Sequence, residues 1–78
     1  MENAKYAYVQ ATNSIGVILD KGTDNMGGWY RTDCDGVRDP MELLFLHTKA
    51  EVKRCAKQFN ANISPSTKEL IELIEQKI

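Results

Sequence analysis

Residues 5–11 alternate, with Ala7, Val9 and Ala11 on one face and Tyr6, Tyr8 and Gln10 on the other, which is the period of a β-strand. Alternation and short apolar runs predict five strands, over residues 5–11, 15–20, 28–32, 37–39 and 44–47. Gly16, inside the second strand, predicts a bend or a bulge there. Residues 21–27 contain glycine, aspartate and asparagine and predict a loop before the third strand.

Two short signals predict how the last strands are connected. Asp35-Gly36 is typical of a hairpin turn, because glycine adopts a positive φ at little cost and aspartate tolerates it. Pro40 cannot donate a backbone hydrogen bond, so the fourth strand is expected to end there. Residues 41–43 are then expected to form one tight turn that leads into the last strand.

From Thr48 onward the apolar period becomes that of a helix. Thr48 and Glu51 match a capping box, in which the hydroxyl accepts from a free backbone N–H and the carboxylate reaches back to the cap. The apolar positions that follow, at i, i+3, i+4 and i+7, are Val52, Cys55, Ala56 and Phe59. Residues 60–63 are expected to connect this helix to the next.

Ser64 is expected to cap a second helix, with Pro65 at its first position, where a missing N–H costs nothing. Ser66 with Glu69 is an alternative capping box further into the helix. The apolar stripe of this helix consists of Leu70, Ile71, Leu73, Ile74 and Ile78. Because the stripe is wide enough to be buried, the helical pair is expected to pack on the strands.

The order of these elements resembles that of SH3-like small barrels. The residues that carry the resemblance are Gly16-Val17-Ile18, Gly28-Trp29-Tyr30, Asp35-Gly36-Val37 and Pro40-Met41-Glu42-Leu43. The length of the chain predicts a single domain over residues 1–78, of the α+β class, and the resemblance covers only residues 5–47 of it. A small antiparallel SH3-like β-barrel of four or five strands is expected at residues 5–47, followed by two C-terminal helices at residues 48–78.

The Gly28-Trp29-Tyr30 strand also resembles the one in plasmid-borne type II dihydrofolate reductases, which are small SH3-like barrels. In that family the segment before the proline carries an apolar and amide-bearing substrate patch. The corresponding segment here is Val37-Arg38-Asp39, which lacks such a patch. This resemblance therefore implies the fold and not the activity.

Composition and charge set the class of protein. The chain has 78 residues, of which 42% are hydrophobic and 27% charged, as in an ordinary globular domain. Its net charge of −1 creates no overall field that would attract nucleic acid or a membrane. Two cysteines without metal-ligand spacing, no leader and no long apolar run predict a cytoplasmic protein with reduced thiols.

An aromatic face is the first candidate binding site. If Ala7, Val9 and Tyr30 point inward, alternation places Tyr6, Tyr8, Trp29 and Arg31 on the outside. Exposed aromatics beside a cation are a known recognition element. The alternative is that the two helices cover this face and make it core. The predicted contact residues for a protein or peptide partner are Tyr8, Trp29, Tyr30, Arg31 and Arg38.

A row of basic residues on the first predicted helix is the second candidate. Its members are Lys49, Lys53, Arg54 and Lys57. Such a row could contact nucleic-acid phosphates, or it could simply be a solvated helix face. Recognition of DNA by the second helix is disfavoured, because its glutamates at positions 69, 72 and 75 would repel phosphates.

No residues in the sequence form a recognisable catalytic or metal-binding pattern. Asp33, Asp35 and Asp39 do not match a calcium loop and are expected to serve the turn. Cys34 and His47 have no flanking motif, so no enzyme activity, metal or cofactor is predicted. The preferred function is non-catalytic binding of a protein or peptide. The alternatives are nucleic-acid binding and a small-ligand-binding barrel assembled as a homo-oligomer.

Overall fold

Six β-strands, one 3-10 turn and two α-helices make up the fold in a computed structural model that describes residues 4–23 and 27–76. The strands are β1 (Tyr6–Val9), β2 (Ser14–Gly22), β3 (Trp29–Thr32), β4 (Gly36–Arg38), β5 (Leu43–Leu46) and β6 (Asn62–Ile63). The 3-10 turn spans Pro40–Glu42, and the helices are α1 (Lys49–Phe59) and α2 (Pro65–Gln76). The predicted α+β class with two C-terminal helices is confirmed. Part of the predicted loop after β2, and Ile78 of the predicted apolar stripe, lie outside the described residues.

The sheet has the strand order β4-β3-β2-β1-β5 and is antiparallel along this path. β6, which the sequence did not predict, pairs with the start of β2 in parallel. β4 and β5 are the two ends of the order, and no ladder joins them anywhere in the described parts of the chain. The sheet is therefore open, and the closed barrel expected from the sequence is not observed.

β2 is the longest strand and belongs to both halves of the sheet. Its first part pairs with β1, where Tyr6 lies opposite Val17, and its second part pairs with β3. The register shifts between Ile18 and Asp20, so the irregularity predicted at Gly16 occurs slightly later in the strand. A bulge bends a strand and increases its local twist, which turns β3 and β4 away from the plane of β1 and β5.

This bend curls the sheet on itself. The rings of Tyr30 on β3 and Phe45 on β5 have centroids 4.9 Å apart in a T-shaped arrangement, although β2 and β1 lie between these strands. Neighbouring strands are about 4.8 Å apart, so three steps across a flat sheet would separate these rings by roughly 14 Å. The inside of the curl is filled by Ala7, Val9, Tyr30 and Leu43.

The helices begin as the sequence predicted, with one difference. Thr48 accepts a hydrogen bond from the backbone N–H of Glu51 at 3.2 Å. The Glu51 carboxylate, however, accepts from the backbone N–H of His47 and not from that of the cap residue. Ser64 Oγ accepts from the backbone N–H of Thr67 at 3.2 Å, so α2 begins at Pro65 and the alternative cap at Ser66 is not used.

Both helices pack on the outer side of β1, β2 and β5. The buried cluster between the helices and the sheet consists of Tyr6, Tyr8, Ile15, Val17, Leu46, Val52, Cys55 and Ile71. The prediction that the apolar stripes of the helices pack against the strands is confirmed for most of their residues, but it is wrong for Phe59 and Leu73, which are exposed. No helix in the described parts of the chain has the length and apolar character needed to cross a membrane.

Candidate binding site

Two of the tyrosines predicted to contact a partner are buried. Tyr8 is 7% exposed, and its ring stacks on that of Phe59 in α1 with centroids 4.9 Å apart. Tyr30 is 4% exposed and lies inside the curl of the sheet. The expected exposed aromatic face is therefore wrong for Tyr6 and Tyr8, because the helices cover that part of the sheet. The alternative, in which the helices make this face core, is correct there.

Trp29 differs from the tyrosines because it remains partly exposed. It lies on the opposite side of β3 from Tyr30, and its partner across the ladder is Gly22 of β2. A β-carbon placed on Gly22 would lie 2.6 Å from Cε2, Cζ2 and Nε1 of the indole. The Trp29 ring therefore lies directly on the backbone of β2, which only a glycine at position 22 permits.

Arg31 and Val37 extend the same outer side of the sheet. Arg31 is exposed, and its ladder partners are Asp20 on β2 and Val37 on β4. Val37 is 57% exposed. No ion pair of the Arg31 guanidinium is found within residues 4–23 and 27–76. We call the surface formed by these residues the Trp29 face; its members are Asp20, Gly22, Trp29, Arg31 and Val37.

Arg38, also predicted to contact a partner, is occupied by carboxylates of its own chain. Its Nε donates to Asp35 and its Nη1 donates to Glu42 Oε1 at 3.1 Å. These hydrogen bonds, first that to Asp35 and then that to Glu42, raise the pKa of Arg38 above its usual value. The guanidinium thus ties the β3–β4 hairpin to the 3-10 turn, and its charge is compensated within the fold.

A network around Asp33 fixes the position of the same hairpin. Asp33 Oδ1 accepts from the backbone N–H of Val17 at 2.6 Å, and Oδ2 accepts from the hydroxyl of Thr67 at 2.6 Å. The side chain of Thr67 is fully buried, and Ser64 Oγ lies 2.7 Å from its hydroxyl. Asp33 was expected to serve only the turn. In the structure it connects the hairpin to β2 and to the first turn of α2.

Glu75 plays a similar part at the other end of α2. Its Oε1 accepts from the hydroxyl of Tyr6 at 2.9 Å and from the backbone N–H of Lys49 at 3.2 Å. Burial, followed by this hydrogen bond and the charge of the carboxylate, raises the pKa of Tyr6 to about 12. The Glu75 carboxylate therefore connects α2 to both β1 and the start of α1.

The lysine row of α1 is divided by the packing of the two helices. Lys49 and Lys53 line a groove between α1 and α2, whereas Arg54 and Lys57 are exposed and do not line it. Trp29 does not line this groove either. The structure thus does not bring the lysine row and the partly exposed tryptophan into one surface.

The chain has two free cysteine thiols, at Cys34 and Cys55. Cys55 is 4% exposed in the core, and burial raises its pKa. Cys34 is partly exposed, and its Sγ lies 3.7 Å from the hydroxyl of Ser14. In the residues that the structure describes, no three His, Cys, Asp or Glu side chains are grouped so that they could hold a metal ion.

Comparison with protein families, with curated proteins and with solved structures found no match to this chain.

Proposed function

We propose that the chain is a non-catalytic binding domain that holds a protein or peptide partner on the Trp29 face. The observation that carries the proposal is a partly exposed Trp29, packed on Gly22, beside an exposed Arg31. Tryptophan and arginine are the residue types most enriched among the residues that dominate binding energy at protein interfaces. Tyr8 and Tyr30 are left out of the proposed contact surface because they are buried.

The packing of Trp29 favours recognition for an entropic reason. A side chain that is already held against the backbone loses little rotamer freedom when a partner covers it. Exposed Val37 adds apolar area on the same face, and the Arg31 guanidinium could donate hydrogen bonds to a carboxylate of the partner. A partner with an apolar side chain next to a carboxylate would match this surface.

We also propose that the sheet is a variant of the SH3-like small barrel that remains open between β4 and β5. The strand order and the 3-10 turn between β4 and β5 support this, as does the contact between Tyr30 and Phe45 across the curl. The likeness to type II dihydrofolate reductases concerns the fold alone. A small-ligand-binding homo-oligomer, which that family suggests, remains the alternative.

The test is to select peptides from a random displayed library on the immobilised protein and to measure their affinity by fluorescence polarisation. We expect Trp29→Ala to weaken the selected peptides about 30-fold and Arg31→Gln about fivefold. Arg31→Gln is the decisive variant. The Arg31 side chain is exposed and forms no ion pair with the residues that the structure describes, so its loss should change the stability of the fold little. A weaker affinity of this variant therefore reports a lost contact with the peptide. Leu73→Ala, at an exposed position on α2, is the matched control and should bind as the parent does.

Two results would overturn the proposal. One is the absence of any peptide that binds saturably after selection. The other is a set of peptides whose affinity is unchanged by Arg31→Gln and Trp29→Ala in folded protein. Circular dichroism melts of each variant establish that the fold is intact in the second case.

A further inference from the structure

A groove between α1 and α2 shares no lining residue with the Trp29 face. It is open to solvent along one side and has a volume of about 270 Å³. Its lining residues are Lys49, Val52, Lys53, Ile63, Lys68, Ile71 and Glu72. Small-molecule sites usually enclose about 300–1,000 Å³, so this groove suits a single large side chain better than a whole small ligand.

The floor of the groove is apolar and firmly held. Val52 and Ile71 are 2% and 4% exposed and belong to the core beneath the helices, and Ile63 of β6 packs against the same cluster. β6 is itself held by its ladder with β2. An apolar side chain placed on this floor would displace water from a surface that does not need to rearrange.

The rim of the groove is cationic, although the chain as a whole carries a net charge of −1. Lys49, Lys53 and Lys68 contribute three ammonium groups, and Glu72 contributes one carboxylate. Within residues 4–23 and 27–76, none of these three lysines forms an ion pair. The nearby Glu75 carboxylate accepts from Tyr6 and from the Lys49 backbone N–H. The ammonium groups are therefore available to a negatively charged ligand.

We propose that this groove is a second binding site, for an acidic peptide that places one large apolar side chain on the floor and carboxylates on the rim. An apolar floor and a cationic rim match such a peptide in both respects. A nucleic acid is matched less well, because the lining residues include no aromatic ring on which a base could stack.

The experiment uses a fluorescein-labelled peptide with one central leucine and two glutamates on each side. Its binding to the full chain is measured by fluorescence polarisation at low and moderate salt. Lys53→Gln and Lys68→Gln should each weaken binding about two- to fivefold, and the double variant about tenfold. Raising the salt concentration should weaken binding to the parent, and a peptide with serine in place of leucine should bind more weakly.

Lys57→Gln is the matched control, because Lys57 lies on the same helix but does not line the groove. It should leave the affinity unchanged, as should Arg31→Gln on the Trp29 face, which separates this proposal from the proposed function. The inference is overturned if the peptide shows no saturable binding up to millimolar concentration, or if Lys57→Gln weakens it as much as Lys53→Gln does. It is also overturned if a single-stranded oligothymidylate of equal charge binds more tightly than the peptide.

Discussion

The indole ring of Trp29 occupies the space that a β-carbon on Gly22 would need, since such a carbon would lie 2.6 Å from three of the ring atoms. The two residues face each other across the β2–β3 ladder. The position of the Trp29 ring therefore depends on the absence of a side chain at position 22. The effect of a substitution at either position on stability should depend on the residue at the other position.

Gly22→Ala should destabilise the protein by about 1–3 kcal/mol, because the new methyl group forces the indole or the strand to move. In a strand without this contact, the same substitution would be expected to stabilise by roughly 0.5–1 kcal/mol. Urea unfolding measures the change. In a Trp29→Ala background the Gly22→Ala substitution should become neutral or stabilising. An equal loss of stability in both backgrounds would show that the contact is not the cause.

Gly36 tests the hairpin. Its φ is 84°, and a β-carbon there would have no atom within 4 Å, so any cost of substitution comes from the backbone conformation alone. Gly36→Val should cost about 1–3 kcal/mol, because a β-branched residue is strained at positive φ. Gly36→Asn should cost clearly less, since asparagine tolerates the left-handed region. If thermal melts rank the two variants equally, the hairpin does not have this backbone conformation.

The hydrogen bond from Thr67 to Asp33 should contribute measurably to stability because Thr67 is fully buried. Thr67→Val keeps the shape of the side chain but leaves the Asp33 Oδ2 atom without this donor, at an expected cost of about 1–3 kcal/mol. Thr67→Ser keeps the hydroxyl and should lose less. Chemical denaturation compares the variants. A larger loss for serine than for valine would mean that the methyl group, and not the hydroxyl, matters at this position.

Tyr6 gives the fold a dependence on alkaline pH. Well below pH 10 its phenol is protonated in both the folded and the unfolded chain, so its contribution to stability is constant. Between pH 10 and about 12 the unfolded chain loses the proton while the folded chain keeps it, and the free energy of unfolding falls. The expected total loss from this group is about 2–3 kcal/mol.

Urea midpoints measured from pH 9 to pH 12 test this prediction against Tyr6→Phe. The phenylalanine variant also lacks the hydrogen bond to Glu75, so it should be less stable at pH 9 but should lose less stability at higher pH. All other titratable groups are common to both proteins, so the difference between the two curves reports Tyr6. Parallel curves for the parent and the variant would contradict the raised pKa.

Local sequence patterns predicted most of the elements of this fold. Alternation and short apolar runs located β1 through β5, and Thr48 and Ser64 located the starts of the helices. The tight turn predicted at residues 41–43 lies one residue earlier, at Pro40–Glu42. These signals act within a few residues, so they can be read without the tertiary structure. The hairpin turn between β3 and β4 was predicted at Asp35-Gly36. It occupies residues 33–35, and Gly36 already belongs to β4.

Features that depend on tertiary packing were left open or missed. Alternation showed that Tyr6 and Tyr8 share a side of their strand, but it left open whether the helices cover that side, as they do in the structure. Asn62–Ile63 is too short to show a period and becomes a strand only beside β2. Likewise, Asp33 resembles any turn aspartate until α2 brings Thr67 to it.

For the candidate site, alternation correctly placed Trp29 and Arg31 opposite the buried Tyr30. It could not show that Gly22 lies beneath the indole, because the sequence pattern assigned position 22 to a loop. It also could not show that Lys68 of α2 joins Lys49 and Lys53, since that grouping depends on how the helices pack.

The pairing of β6 with the start of β2 has a consequence for cooperativity. Ser14 and Ile15 lie opposite Asn62 and Ile63, so the segment between the two helices shares a backbone ladder with the sheet. The helices cannot detach as a separate unit without opening amides of β6 or β2. Native-state hydrogen exchange should therefore find the buried amides of α1, α2 and β2 opening together, in a single global unfolding event.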